Sequence, residues 1–264
     1  MVPGVVGSSP ISRPTFPGET RPVTQESNRN FTRDSHLVSP ADGGSAPTTA
    51  MPPPFALTAK RRDMLAFITR YELFKLIADR PGVIIELGVQ HGQGLMSFAH
   101  IVSNVEPNHV ARRIYGFDTF EGFPAVDGVD KASGGRNARP GRLKSNLARL
   151  KQAIKDHDQD RFLGQVPRVE LVAGDVEQTL PAFIQANPQL LVALVYVDLC
   201  LYRPTTAALQ ALWPLMPKGS VMAFDQLAFP EFPGETRAVL EVIGADALDL
   251  RRFNFESQVS YLVR

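Results

Sequence analysis

The stretch Val83-Ile84-Ile85-Glu86-Leu87-Gly88-Val89-Gln90-His91-Gly92-Gln93-Gly94 constrains this chain more than any other. A short apolar, β-rich run cut off by glycines predicts a buried parallel strand that passes through a tight turn into a helix, here Leu95 to Asn104. Open α/β sheets hold nucleotides at such turns. Glycine lets a ligand lie against the main chain, and the following helix start offers free N–H groups to a carboxylate.

The spacing of the glycines narrows the ligand. A dinucleotide fingerprint reads G-x-G-x-x-G, whereas this turn reads G-x-x-x-G-x-G with Glu86 two residues before Gly88. That pattern suits S-adenosylmethionine better than NAD and makes Glu86, Gly88, Gly92 and Gly94 cofactor candidates. A turn with a purely structural job is the alternative.

Further strands follow with acidic ends. From Leu57 to Arg80 apolar residues recur at helical period (Met64, Phe67, Ile68, Tyr71, Phe74, Ile77), and Pro81-Gly82 stops them. Arg113 to Phe117 predicts a second strand ending in Asp118, placed to accept hydrogen bonds from ribose hydroxyls. The Gly-, Arg- and Lys-rich loop from Thr119 to Arg142 is a candidate lid, and Leu143 to His157 an exposed helix. Arg168 to Ala173 is a third strand, ending in Gly174-Asp175. Asp175 would lie at the adenine edge or cap the helix Val176 to Asn187, and both roles are compatible.

Leu190 to Val197 is apolar throughout, as the centre of a parallel sheet should be, and it delivers Asp198 at its carboxyl end. Pro204 sets the first turn of a helix to about Met216. Ser220 to Phe224 is a fifth strand, delivering Asp225. Asp249 to Phe255 and Gln258 to Val263 alternate like two antiparallel strands. The expected architecture is therefore an α/β class I methyltransferase (Rossmann-like) fold. Its sheet would be mostly parallel and seven-stranded, with a C-terminal antiparallel hairpin and helices on both faces.

Composition sets the boundaries. Residues 1–54 are rich in Pro, Ser, Thr and Gly with almost no apolar periodicity, so a disordered tail is expected ahead of one domain over residues 55–264. With 28 basic and 27 acidic residues, and no basic run interleaved with aromatics, nucleic acid is not an expected partner. The single cysteine, Cys200, excludes an intrachain disulfide and fits a reducing compartment. Met1 to Pro10 has neither the basic start nor the apolar core of a signal peptide, and Leu190 to Val197 is too short to span a bilayer. A soluble, cytoplasmic protein is expected, and a homo-oligomer is compatible with everything read here.

Taken together, the motifs resemble the macrocin O-methyltransferase (TylF-type) family of S-adenosylmethionine-dependent sugar O-methyltransferases. The carriers are Arg70-Tyr71-Glu72-Leu73-Phe74, Ile85 to Val89 with Gly92 and Gly94, Gly116 to Pro124, and Gly174-Asp175. Further carriers are Val197-Asp198, Leu201 to Thr205, Phe224-Asp225 and Pro233-Gly234-Glu235-Thr236. The resemblance implies a class I methyltransferase fold and a cofactor site from Glu86 through Asp175, including Thr119, Phe120 and Val176. In several members it also implies a divalent metal such as magnesium at the ends of the fourth and fifth strands, holding neighbouring sugar hydroxyls. Asp198 and Asp225 would be its ligands here. The family pattern has further carboxylates nearby, where this chain has Cys200 and Gln226, and a thiol is too soft a ligand for magnesium.

Methyl transfer from a sulfonium needs an aligned acceptor oxygen and a group to take its proton. Asp198 is the first candidate base, with helix capping as its alternative role. His91, in the glycine turn, is the second, with packing beside the cofactor as its alternative. Tyr202 and Arg203 are placed to line the acceptor site, and Phe229 to Pro233 to form a stiff loop over it. Trp213 is read as core. The expected activity is O-methyl transfer to a hydroxyl of a sugar or glycosylated small molecule. The alternative is a cofactor-binding scaffold protein with a degenerate acceptor site. A nicotinamide-dependent oxidoreductase is disfavoured by the glycine spacing.

Overall fold

The structure is a computed structural model and describes residues 54–124, 126, 128–132 and 139–264. Nearly all of the expected tail over residues 1–54, and part of the candidate lid, lie outside these described residues.

Chain order is α1 (Phe55–Thr58), α2 (Arg61–Lys75), β1 (Val83–Leu87), α3 (Gln93–Val105), β2 (Ile114–Asp118), α4 (Gly128–Ala132), α5 (Leu147–Asp160) and β3 (Val169–Ala173). It continues with α6 (Val176–Ala186), β4 (Val192–Val197), α7 (Tyr202–Leu212), β5 (Val221–Phe224), α8 (Pro233–Val242) and β6 (Ser260–Val263). The sheet order is β3-β2-β1-β4-β5-β6, parallel except for β6, which runs antiparallel to β5. This is the class I methyltransferase arrangement expected from the motifs. Strand order reverses between β1 and β4, which opens the crevice where such sheets bind ligands.

Strand alternation divides the interior into two cores. Ile84, Leu194 and Val221 pack with Phe74 and Phe98 of the α2 and α3 side, whereas Ile85, Val195 and Met222 pack with Leu180 and Leu209 of the α6 and α7 side. Every residue of β4 is buried, and each large apolar side chain so placed contributes about 1.5–3 kcal/mol. By the same alternation Glu86 shares a face with Ile84 and points toward α2, not into the crevice.

Four expectations need correction. The sheet has six strands, not seven. The segment from Asp249 to Phe255 makes only an isolated bridge, Arg251 with Tyr261, because Phe253 stacks on both Phe255 and Tyr261 instead of extending the ladder. The first predicted helix divides into α1 and α2 at Lys60, whose backbone is extended. Leu57 is exposed, and apolar residues that reach the core begin only later, so packing holds the helix only from Arg61. The helix ends at Lys75, and the buried Arg112 guanidinium donates to the carbonyls of Gly82 (2.8 Å) and of Ile77 (3.2 Å), the latter also accepting from Arg80 N at 2.9 Å. Finally, α8 begins at Pro233, directly after the predicted stiff loop and where no helix was expected. Proline at its first position is already suited to a helix start.

Candidate active site

The carboxyl ends of β1, β2, β4 and β5 surround a cavity of about 360 Å³. Gly88 and Asp198 both line it, side by side at the point where strand order reverses. The turns after β1 and β4 are in direct contact: a Cβ on Gly88 would stand 1.9 Å from the Asp198 carbonyl oxygen, and Gly88 adopts φ +87°. Only glycine fits both the space and the backbone.

On the β2 side, Asp118 is fixed by two backbone donors. Gln90 N donates to one carboxylate oxygen at 2.7 Å and Phe120 N to the other at 2.6 Å. The loop after β2 is tied to the chain before α5 by Phe123 N to Arg142 O (3.0 Å) and Gly141 N to Phe123 O (2.9 Å). Thr119 Oγ1 donates to Gly122 O at 2.6 Å. Asp175 caps α6 by accepting from Glu177 N at 3.0 Å, as one of its two expected roles requires, and it also lines the cavity.

Of the expected cofactor residues, Gly88, Asp118, Thr119, Asp175 and Val176 line this cavity. Glu86, Gly92, Gly94, Phe120 and the candidate base His91 do not. Glu86 is 2% exposed and ion-paired to Arg70 Nη2 at 3.2 Å. Gly94 leaves room for that pair, since a Cβ there would meet Glu86 Oε1 at 2.0 Å. Gly92 packs on Leu150, the Phe120 ring joins the core, and His91 is exposed. Sequence reasoning missed Gln90 on the cavity wall, while Arg142 and Phe232, which also line it, belong to the expected lid and to the expected loop from Phe229 to Pro233. The oxygens and rings that matter there come from loops without periodicity.

The side of the cavity at the ends of β4 and β5 is acidic. Burial holds the Asp198 carboxyl well above the usual carboxylate range, and neighbouring Asp225, Glu235 and Glu86 push in the same direction. Glu235 is fully buried at the start of α8, accepts from Gln226 N at 3.1 Å, and is pushed up to about 8, chiefly by burial. Its motif was visible in the sequence, its position against this site was not. The Asp225 carboxylate accepts from Tyr196 Oη at 2.6 Å and from Gln258 Nε2 at 2.8 Å. Behind it the Arg70 guanidinium lies 4.3 Å from the Tyr196 ring centroid, so a polar line runs from Glu86 through Arg70 and Tyr196 to Asp225.

Neither Tyr202 nor Arg203 lines the main cavity: Tyr202 Oη bonds Glu241, and Arg203 pairs with Glu177 at 2.9 Å. The backbone N of Tyr202 donates instead to both carboxylate oxygens of Asp130, 72 residues earlier, at 3.1 and 3.2 Å. This capping at a distance joins α4 to the start of α7. Phe123 and Phe232 line the cavity and meet edge to face, centroids 6.4 Å apart. Trp213 packs against the α7-side core, as expected.

The donor set does not fit the divalent metal that the family resemblance implies. Asp198 Oδ1 faces the Cys200 thiol (3.9 Å), which burial and then Asp198 itself keep well above the usual thiol range and therefore protonated. Gln226 is neutral, and both oxygens of Asp225 already accept hydrogen bonds. Among the described residues no group of three or more His, Cys, Asp or Glu side chains converges as a metal site, so Asp198 and Asp225 are not supported as a magnesium pair. No helix among the described residues is long and apolar enough to cross a membrane.

Comparison with known proteins agrees with this geometry. The methyltransferase domain family (Methyltransf_24) matches residues 85–227. A relative from Streptomyces olivaceus, 8-demethyl-8-(2,3-dimethoxy-alpha-L-rhamnosyl)-tetracenomycin-C 4'-O-methyltransferase, is 31% identical over 171 residues, 64% of this chain and 60% of that protein. The chain thus spans less than two thirds of that relative's length. The crystal structure of CalS11, a calicheamicin methyltransferase, superposes with a TM-score of 0.76 at 40% identity, covering 79% of this chain and 82% of that one. An apo structure of CalS11, described as a TDP-rhamnose 3'-O-methyltransferase, gives 0.68 at 38% identity, covering 79% and 83%. With a match over more than half of its residues and the fold to accompany it, this chain belongs to the methyltransferase domain family.

Proposed function

We propose that this protein is an S-adenosylmethionine-dependent O-methyltransferase of the TylF type that methylates a hydroxyl of a sugar or glycosylated small molecule. One observation carries the reading. A single cavity at the strand-order reversal holds a ribose-type carboxylate (Asp118), a glycine that admits close approach (Gly88) and a half-buried carboxylate of raised proton affinity (Asp198). The rhamnose-type sugars in the names of the Streptomyces olivaceus relative and of CalS11 support the acceptor class.

Bound S-adenosylmethionine supplies an activated methyl group on a sulfonium. Asp118, held by Gln90 N and Phe120 N, keeps lone pairs free for the ribose hydroxyls, and Asp175 faces the same space from the start of α6. Asp198 would receive the proton of the acceptor hydroxyl as that hydroxyl's oxygen takes the methyl group. The proton affinity of Asp198, raised by desolvation and by the neighbouring carboxyls of Asp225 and Glu235, suits a group that accepts a proton. Phe123 and Phe232 offer apolar surface to the face of a sugar ring.

Calorimetric titration with S-adenosylmethionine, S-adenosylhomocysteine and, as control, NADH tests the cofactor half. Micromolar binding of the sulfur nucleotides alone is expected. Release of S-adenosylhomocysteine with rhamnosides or sugar nucleotides tests the acceptor half, and Asp198→Asn should abolish it while leaving cofactor binding intact. Binding without transfer to any such acceptor would favour the scaffold reading, and no binding of either sulfur nucleotide would overturn the proposal.

A further inference from the structure

Where the family resemblance implies a metal-type donor set, this chain has Cys200 and Gln226, with Asp225 held by Tyr196 and Gln258, and this bears on how the acceptor hydroxyl is activated. We propose that the acceptor site works without a divalent cation, Asp198 alone receiving the proton while Asp225 serves as a fixed strut. The inference rests on the methyltransferase reading above and deepens it.

The argument is one of donors and commitments. A hard divalent cation in a protein site is held by several oxygen ligands, usually including more than one carboxylate free to turn toward it. Asp225 is not free to turn. Tyr196 Oη holds one oxygen at 2.6 Å from inside and Gln258 Nε2 holds the other at 2.8 Å from outside. Tyr196 is itself immobile, fully buried in β4 with the Arg70 guanidinium against its ring. Position 200 carries a buried thiol 3.9 Å from Asp198, and position 226 a neutral amide whose backbone N is occupied by Glu235. Glu235 lies behind that backbone, at 0% exposure, and does not line the cavity. Asp198 is the one carboxylate of the group that lines the cavity without a hydrogen bond from a conventional N–H or O–H donor in the described residues. A single such carboxylate makes a base rather than a cation site.

The test has two arms, and one does not depend on turnover. Free Mn²⁺ is followed by its electron paramagnetic resonance signal as wild-type protein is added, and again with the double variant Cys200→Asp/Gln226→Asp, with circular dichroism checking that each is folded. Gln226→Glu serves as a milder second variant. Wild type should leave the free-ion signal unchanged, and at least one variant should reduce it. Methyl transfer by wild type should show no loss in excess chelator and no gain on adding magnesium. Stoichiometric Mn²⁺ uptake by wild type that Asp225→Asn removes, or transfer lost in chelator and restored by magnesium, would overturn the inference. If no acceptor is turned over, the failure is that of the proposed function, and the Mn²⁺ arm still decides this one.

Discussion

The carbonyl oxygen of Asp198 occupies the space that a side chain on Gly88 would need, 1.9 Å from the position of its Cβ. The turns after β1 and β4 are therefore packed against each other at backbone distance. Gly88→Ala must displace one or the other and should cost on the order of 1–3 kcal/mol in backbone strain alone. We expect a lower melting temperature and loss of S-adenosylhomocysteine binding by calorimetry. Gly128→Ala, with open space around its Cβ position, is the control and should leave both unchanged.

The Arg70–Glu86 pair is the buried support beneath that turn, with side chains 9% and 2% exposed. Burial pushes Glu86 up to about 7 although Arg70 draws it back down. Arg70→Met leaves the carboxyl without its partner and should destabilise by about 3–5 kcal/mol in urea unfolding. Adding Glu86→Gln should recover part of that loss. If the double variant is no better than the single one, the pair is not the source of the cost.

Glu235 makes stability depend on pH in a stated direction. Its proton affinity rises from 4.5 unfolded to about 8 folded, so the folded state holds a proton that the unfolded state has released across that window. Its stabilising contribution is complete below pH 4.5 and is lost as pH rises toward 8, a change on the order of a few kcal/mol. Glu235→Gln keeps the neutral, hydrogen-bonding shape. Melting curves across this range should therefore fall less steeply for the variant than for wild type.

Tyr196→Phe removes one hydrogen bond to the Asp225 carboxylate and nothing else of comparable size. A bond to a charged group is worth about 1.5–3 kcal/mol, partly offset here because Gln258 still donates. Stability should fall within that range. Affinity for S-adenosylhomocysteine should stay unchanged while kcat drops, since Asp225 stands at the end of β5, on the side proposed above for the acceptor. An equal loss of cofactor affinity would show that Tyr196 acts through the fold and not through the acceptor site.

The order of the five parallel strands, the glycine turn, and the acidic strand ends at Asp118, Asp198 and Asp225 were legible along the chain. Each depends on local period and punctuation: an apolar run for a buried strand, a glycine for the turn, and a carboxylate where the strand stops. What a carboxylate faces was not legible. Glu86 reads as a cofactor residue by its place in the motif, yet alternation along β1 turns it away to meet Arg70 from another helix. Phe120 stands beside Asp118 in sequence but packs in the core, while Phe232 comes to the cavity from the distant chain before α8.

The same division explains the last strands and the metal. Alternating residues from Asp249 to Phe255 carry the pattern of a strand, but aromatic stacking on Tyr261 takes their place in the ladder. The loss of carboxylates at Cys200 and Gln226 was written in the sequence. That Asp225 is held on both sides, by Tyr196 from the neighbouring strand and by Gln258 from the chain before β6, was not. Sequence determined which groups stand at the strand ends, because local pattern sets secondary structure. Tertiary structure alone decided their partners, because side chains far apart in the chain meet only when the sheet is assembled.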